Sequence, residues 1–487
     1  MESVAQAVSR LRELAAAEPL ATLAERFAAA GHELALVGGP VRDAFLGRGV
    51  HDLDLCTSAR PDEIIRIIRP VVDAHWDIGR DFGTIGAQIG DDTVEITTYR
   101  ADEYDPASRK PEVAFGDTLE GDLIRRDFTV NALALRLPQL ELVDPTGGFE
   151  HLVSGVLTTP TTPERSFGDD PLRMLRGVRF AAQLGARLDD AALQAMTEMR
   201  GRLEIVSAER IRDELIKLLA TDSPRRGLEL LVATGLAEYV LPEVPALRLE
   251  IDEHAHHKDV YEHSLTVLEQ AIDLERSRGD ADARPDTVLR LAALLHDIGK
   301  PATRSIEANG AVTFHHHDVV GAKLAKKRLT ALRFDKDTIT AVARLIELHL
   351  RFFGYSDAPW TDSGVRRYVR DAGPLLERLH ILTRADVTTR NKRKAARLQG
   401  AYDELEQRIA QLAEEEELAA IRPDLDGEQI MQILGLRPGP DVGAAYRYLL
   451  EVRLDDGPLG AEEAERRLRA WWAERGGATG AAQRGER

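Results

Sequence analysis

Cysteine is almost missing from this chain of 487 residues: Cys56 stands alone, so no intrachain disulfide can form and a reducing compartment is expected. Long apolar runs are missing too. No stretch reaches membrane-span length without charges, and the opening MESVAQAVSRLRELAAAEPL lacks the apolar core of a secretory signal. A cytoplasmic protein with no membrane partner is therefore expected. No internal repeat is visible. An excess of positive charge is absent as well, since 64 Lys and Arg face 82 Asp and Glu for a formal charge of -18. Taken alone, that balance argues against a nucleic-acid binder. The basic residues are clustered, however, in KLAKKRL (323–329), RRYVR (366–370) and RNKRKAARL (390–398), while acid gathers in EEEEL (414–418). Such runs are most often solvated faces; they permit an RNA surface without showing one.

What is present is the balance of a folded chain, 43% hydrophobic and 30% charged, and it is long enough for several domains. Residues 1–30 repeat apolar positions with helical spacing. HELALV (32–37) reads as a strand ended by Gly38 and Gly39; PVRDAFLG (40–47) as a short helix with proline at its first position; HDLDLCT (51–57) as a second strand. PDEIIRIIRPVV (61–72) is an amphipathic helix, and TIGAQIG (84–90) and TVEITTY (93–99) are strands joined at a hairpin. The polar segment 102–118 reads as a mobile loop. From about residue 169 nearly everything is helical, and the small polar residues of 475–487 read as a disordered tail.

Side chains alternate along a strand, so Asp52 and Asp54 share one face while Leu53 and Leu55 point to the core. Two carboxylates that close repel, and a divalent cation relieves the repulsion; magnesium prefers such oxygen ligands. Glu95, on a neighbouring strand, offers a third carboxylate. A lone DxD is more often an exposed strand face. Here a glycine pair precedes it, whose N–H groups can meet phosphate oxygens, and Arg42 adds positive charge.

The order strand, GG, helix, strand with DxD resembles the nucleotidyltransferase superfamily of the polymerase-beta type. More closely, it resembles bacterial CCA-adding tRNA nucleotidyltransferases of the class shared with poly(A) polymerases. Gly38, Gly39, Val41, Arg42, Asp43, Asp52, Leu53 and Asp54 match that family's first motif. The resemblance implies two magnesium ions on Asp52 and Asp54. In LIRRDFTVNALAL (123–135), Arg126, Asp127 and Asn131 match a ribose-recognition motif; on the residues alone, Asp127 reads equally as a helix cap. The loop holding Arg109 and Lys110 resembles the segment that helps the family switch from C to A. DDPLRMLRGVRFAAQLG (169–185) matches the templating motif EDxxR, with Asp169 where that motif has Glu. It implies Asp170 and Arg173 as readers of the base edge, with Arg176 and Arg179 on the same helix. An isolated Asp/Arg pair at this spacing is otherwise a helix salt bridge. SAERIRDELIKLL (207–219), with Glu209 and Arg212, resembles the segment that supports the templating helix.

A second cluster lies further on. LAALLHDIGKP (291–301) places His296 and Asp297 in an apolar helix, and His263, His317, His349 and Asp386 stand in other helical stretches. One histidine on an apolar helix is ordinarily a core residue. This set resembles the HD metal-dependent phosphohydrolases, which implies His263, His296, Asp297 and Asp386 as core ligands and His317 and His349 as completing a two-metal variant. Imidazole with carboxylate suits manganese, nickel or another transition metal. Lys300 is placed to meet a phosphate.

The expected fold is multi-domain α+β. A nucleotidyltransferase head spans 1–155, a helical base- and acceptor-end-binding domain 156–248, an HD domain 249–395 and a C-terminal helical region 396–474. The implied activity is addition of CCA to tRNA from CTP and ATP without a nucleic-acid template. A poly(A) polymerase and a CC-only or A-only enzyme are the alternatives.

Overall fold

The computed structural model describes residues 4–50, 53–100, 115–116, 118–248, 259–279, 283–310, 312–352, 360–388, 391–416 and 422–475. They form two compact units, Met1–Pro245 with Ala331–Arg333, and Ala246–Thr330 with Phe334–Arg487.

The first unit is built on one mixed sheet of β1 (Leu34–Val37), β2 (Leu53–Thr57), β3 (Ala74–Trp76), β4 (Thr84–Ile89), β5 (Asp92–Thr98), β6 (Ala134–Leu137) and β7 (Glu141–Val143). Their order is β3-β4-β5-β2-β1-β6-β7. β2 and β5 are parallel; every other neighbouring pair is antiparallel. The expected strands are β1, β2, β4 and β5. β3, β6 and β7 are three or four residues each, too short to show a period of two in the sequence.

One face of the sheet carries Leu53, Leu55, Ile85, Ala87, Val94 and Ile96, packed with Leu20, Leu23 and Phe27 of helix Leu20–Ala29 and Ile64 and Ile68 of helix Pro61–Ile68. Each of the leucine, isoleucine, valine and phenylalanine side chains, fully buried, contributes about 1.5–3 kcal/mol. Helix Pro61–Ile68 begins with proline at its first position and a Glu63 carboxylate accepting from the Arg60 N–H at 2.8 Å. It stops short of the expected residue 72 because Pro70 has no N–H to continue the ladder. On the opposite face, Ala35, Val37, Cys56 and Tyr99 pack against Leu119 and Leu123 of helix Leu119–Ile124. Beyond the sheet come helices Pro163–Asp169, Leu172–Leu184, Asp190–Met199, Ala208–Leu219 and Pro224–Ala233. Leu172–Leu184 is the most enclosed: Met174, Val178, Phe180 and Ala181 are buried, and Gly185 closes it in the left-handed region at φ 65°.

In the second unit, helices Val260–Arg278, Thr287–Leu295, His317–Ala331, Lys336–Leu348 and Leu376–Ala385 bring the histidines together. Helix Lys392–Glu416 runs unbroken across residue 395, where a domain limit was expected. Helices Gly427–Leu434, Pro440–Asp456 and Ala461–Glu474 share a small core of Leu425, Ile430, Ala445, Leu449, Ala464 and Leu468. The basic run 366–370 turns inward: Arg366 donates to Leu454 O at 3.0 Å, and Arg367 binds Glu451 and Asp455 at 2.6 and 2.8 Å. Lys323, Lys326 and Lys327 of the run 323–329 are exposed. Of the segment 102–118, expected to be a mobile loop, residues 102–114 and 117 lie outside the described residues, while Phe115 pairs with Arg100 and the Gly116 N–H donates to Tyr99 O at 2.7 Å; of the tail 475–487, expected to be disordered, residues 476–487 lie outside the described residues. Among the described residues no helix is long and apolar enough to cross a membrane.

Candidate functional site

At the start of β2, Leu53 and Leu55 are buried and Asp54 stands half-buried on the other face; Cys56 and Thr57 beyond are both buried. Asp52 lies outside the described residues. In the parallel β2–β5 pair, Asp54 is directly opposite Glu95, which is exposed. Asp54 and Glu95 thus share one face of the sheet. Their hard oxygen atoms and like charge fit a divalent cation.

β1 runs antiparallel to β2 with Leu36 opposite Leu55, so the glycine turn emerges at the end of the sheet where Asp54 lies. Gly38 has φ 71° and ψ -120°, and its N–H donates to Leu133 O at 2.9 Å. A β-carbon there would meet Arg126 Nη1 at 3.1 Å, so both conformation and space call for glycine. Helix Gly39–Phe45 then delivers Arg42, only 5% exposed. Its guanidinium holds Asp43 through Nε and Nη2 at 2.9 Å each, and donates from Nη1 to Asn131 Oδ1 at 2.6 Å.

From there a chain of polar contacts crosses the unit. Asn131 Nδ2 donates to Asp127 Oδ1 at 3.0 Å, and Arg176 Nε donates to Asp127 Oδ2 at 2.6 Å. Arg176 Nη1 lies 3.7 Å from Glu214 Oε1, and Arg179 Nε donates to Glu214 Oε2 at 2.7 Å. Arg42, Arg176 and Arg179 surround the Phe180 ring at 5.5, 5.4 and 4.0 Å. Burial would raise the Asp127 carboxyl, but Arg176, Asn131 and Arg173 hold it well below the usual carboxylate range. Burial likewise works against the Arg126 cation, and Asp122, 3.2 Å away, and Asp54 more than restore it.

Asp127 is not a helix cap. The stretch folds as a tight turn, Thr129–Asn131, and the carboxylate accepts from the Phe128 N–H at 2.8 Å and from side chains. Asp170 and Arg173 sit at the start of helix Leu172–Leu184, joined by the Arg173 N–H donating to Asp170 O at 3.0 Å, but their side chains do not pair with each other. Asp170 accepts from Leu172 N at 3.1 Å and Arg210 Nη2 at 2.7 Å; Arg173 donates to Ser166 Oγ at 3.0 Å and Arg125 O at 2.7 Å. Arg179 is turned inward onto Glu214 and Gln183. Segment 207–219 supports this helix through Arg210 and Glu214 rather than Glu209 and Arg212. Glu214 carried a sequence signal that was missed: an acid set among Ile211, Leu215 and Leu218 on a buried stripe.

In the second unit, six residues form two adjoining groups, His263–His296–Asp386 and Asp297–His317–His349. His296 and Asp297 lie not inside a helix but where Thr287–Leu295 ends; His349 and Asp386 follow the ends of Lys336–Leu348 and Leu376–Ala385, and His317 begins His317–Ala331. The Nδ1 atoms of His296, His317 and His349 each lie against the carbonyl three residues earlier, at 2.9, 2.8 and 2.5 Å, and His263 Nδ1 against Thr388 Oγ1 at 3.0 Å. A proton held on Nδ1 leaves Nε2 a lone pair for a metal. All four Nε2 atoms converge. His263 Nε2 is 2.9 Å from Asp386 Oδ1 and 3.3 Å from His296 Nε2. Asp297 spans the two groups, Oδ2 3.2 Å from His296 Nε2 and Oδ1 3.3 Å from His317 Nε2. His349 Nε2 is buried without a hydrogen-bond partner. An orphaned imidazole nitrogen beside three other imidazoles and two carboxylates fits a pair of metal ions. Burial lowers His296, and Asp297 and Asp386 override it, pushing it up to about 10; burial and His296 lower His349 to about 4. Lys300 Nζ meets Asp297 Oδ2 at 2.6 Å.

This chain is 35% identical over 449 residues to an A-adding tRNA nucleotidyltransferase of Deinococcus radiodurans, covering 90% of this chain and 95% of that one. The chain belongs to the bacterial tRNA nucleotidyltransferase family. It is also 32% identical to a CC-adding tRNA nucleotidyltransferase of Thermus thermophilus (91% and 93% covered) and 31% identical to a CCA-adding enzyme of Streptococcus thermophilus (90% and 92% covered). The family profile of the poly A polymerase head domain matches residues 34–158, that of the probable RNA and SrmB-binding site of polymerase A residues 185–247, and that of the HD domain residues 260–391. The fold is that of a Bacillus stearothermophilus CCA-adding enzyme solved with CTP (TM-score 0.68, 23% identity, 94% and 98% covered) and of a Thermotoga maritima CCA-adding enzyme solved with tRNA (TM-score 0.58, 18% identity, 95% and 98% covered). The family's head, with its polymerase-beta-like sheet, therefore holds the row Asp54–Glu95 and the Gly38 turn, and its HD domain holds both histidine groups.

Proposed function

We propose that this protein adds CCA to the 3′ end of tRNA, taking CTP and ATP in turn. The observation that carries the reading is the carboxylate pair Asp54–Glu95 beside the Gly38–Gly39 turn, in a chain that aligns nearly end to end with tRNA nucleotidyltransferases. The RNA 3′ oxygen forms a bond to the α-phosphorus, the α–β phosphoanhydride bond breaks, and pyrophosphate leaves. Asp52, Asp54 and Glu95 would hold magnesium, which would neutralise charge and lower the pKa of the attacking hydroxyl. The Gly38–Gly39 backbone and Arg42 receive the triphosphate, and Arg126, Asp127 and Asn131 receive the ribose. Asp170 and Arg173 read the base once Arg210 and the Arg125 carbonyl release them; Arg176 and Arg179 brace the helix that carries them.

In the HD domain, His263, His296, Asp297, His317, His349 and Asp386 would hold manganese, nickel or similar ions, which would supply a nucleophilic water for hydrolysis of phosphate esters, with Lys300 beside the phosphate. A product limited to A or CC is the second reading, because the specialists of D. radiodurans and T. thermophilus align over nine-tenths of this chain. The test is a tRNA transcript lacking CCA, given CTP, ATP, or both with magnesium, followed by sequencing of its ends. CC from CTP and CCA from both is expected. CC that never receives A, or A added only to an end already carrying CC, establishes the specialist; long A tails from ATP alone establish a poly(A) polymerase.

A further inference from the structure

Residues directly opposite one another on neighbouring strands share a face of the sheet. β2 sets Asp54 against Glu95 on β5; β5 sets Glu95 against Gly86 on β4; β4 sets Gly86 against Trp76 on β3. A single row across the sheet therefore reads Asp54, Glu95, Gly86, Trp76. Gly86 has no side chain, and the Trp76 indole occupies the space one would take. A β-carbon at Gly86 would stand 2.0 Å from Trp76 Nε1, 2.2 Å from Cε2 and 2.7 Å from Cζ2. The ring thus lies across β4, one strand spacing of about 4.8 Å from the strand that carries Glu95. Ile85 and Ala87, on either side of Gly86, point into the core, so the indole belongs to the carboxylate face. Trp76 is half-buried, which leaves part of the ring open.

Strand order decides what the open part meets. The Gly38–Gly39 turn and Arg42 follow β1, on one flank of β2, whereas β5, β4 and β3 lie on the other. In-line displacement puts the attacking oxygen and the departing pyrophosphate on opposite sides of the α-phosphorus. With the triphosphate on the glycine turn, the attacking RNA end lies over β5 and β4. The geometry points to Trp76 as the stacking platform for the 3′-terminal base of the RNA primer, beside Glu95; this rests on the nucleotidyl-transfer reading above. Every base has a π-face, so an indole holds a terminal purine or pyrimidine alike. That tolerance suits a primer whose terminal base changes with each addition.

The test uses the full-length protein and two transcripts lacking CCA, one with its ordinary last nucleotide and one ending in an abasic ribose that keeps the 3′ hydroxyl. Trp76→Ala is expected to raise the KM for the ordinary transcript about tenfold and to leave the KM for CTP unchanged, while Trp76→Phe stays within about threefold of wild type. The abasic end should cost the wild type the same factor and cost Trp76→Ala nothing more. Gly86→Ala, which lifts the indole off β4 without removing it, should shift the same KM in the same direction. If Trp76→Ala lacks a cooperative thermal transition, Trp76→Leu, which covers Gly86 but has no π-face, is read in its place. An unchanged transcript KM in a folded variant, or an abasic penalty as large in the variant as in the wild type, overturns the assignment of Trp76. A wild type that extends no transcript with any nucleotide overturns the nucleotidyl-transfer reading instead.

Discussion

Asp127 is 7% exposed and accepts from the Phe128 N–H, from Asn131 Nδ2 and from Arg176 Nε. Its folded pKa is depressed, so its contribution to stability is complete above the unfolded value of about 3.9 and is lost as pH falls below it toward the folded value. Asp127→Asn removes the charge but keeps the shape, and is expected to cost about 2 kcal/mol at neutral pH. The gap between wild-type and variant urea midpoints should hold steady from neutral pH down to about pH 5 and narrow below it. A gap that widens on acidification would contradict this sign. Asp54 and Glu95 carry a different expectation. Asp54→Asn and Glu95→Gln each leave the sheet unaltered, since neither side chain is buried, and should lower kcat for CTP addition by about 100- to 1000-fold. Single-turnover addition with a saturating transcript measures it. Asp54 and Glu95 were legible as candidate carboxylates because β2 and β5 each read as strands, but their direct opposition follows from the parallel register of those strands, which the sequence does not show. The partners of Asp127 and Asp170 were not: the sequence gives helical spacing, and the bonds to Arg176 and Arg210 join positions 49 and 40 residues apart.

At the level of elements, the histidine groups depend on how closely two segments approach. A β-carbon at Gly299 would meet His317 O at 2.1 Å and Gly321 N at 2.7 Å, both backbone atoms that cannot swing aside. Glycine is required there because helix His317–Ala331 rests directly on the turn after Asp297, which keeps His317 Nε2 3.3 Å from Asp297 Oδ1. Gly299→Ala should push the helix away, destabilise the fold by about 1–3 kcal/mol and weaken transition-metal binding. Metal content after dialysis against limiting manganese checks the second effect, and a variant that retains full content would show that the approach is not what positions His317. The six candidate ligands were all visible as residue types, and the helices carrying them as apolar periodicity. Their placement at helix ends was not, since a helix end shows in sequence chiefly as a capping residue or glycine, and His296, His349 and Asp386 themselves occupy the positions just past the last helical turn. The row Asp54–Glu95–Gly86–Trp76 was equally hidden, because β3 is three residues long and its register against β4 is a tertiary property.

Taken whole, the molecule holds two sites of opposite ligand chemistry in two separate compact units: carboxylate oxygens on the sheet of the first, imidazoles with carboxylates among the helices of the second. Hard oxygen donors suit magnesium and nitrogen-rich sets suit later transition metals, so one protein should answer to two metals independently. After exhaustive chelation, magnesium alone should restore nucleotide addition while leaving phosphate-ester hydrolysis absent, and manganese or nickel should be needed for the latter. His349→Ala removes a candidate ligand of the Asp297–His317 group and should lower the transition-metal content by about one ion per chain while addition stays within about twofold of wild type. Asp54→Asn should do the reverse, lowering addition by about 100- to 1000-fold with transition-metal content intact. Metal analysis and end-sequencing on the same preparations decide it: loss of addition in a folded His349→Ala variant, or loss of bound transition metal in Asp54→Asn, would mean that the two sites are not independent.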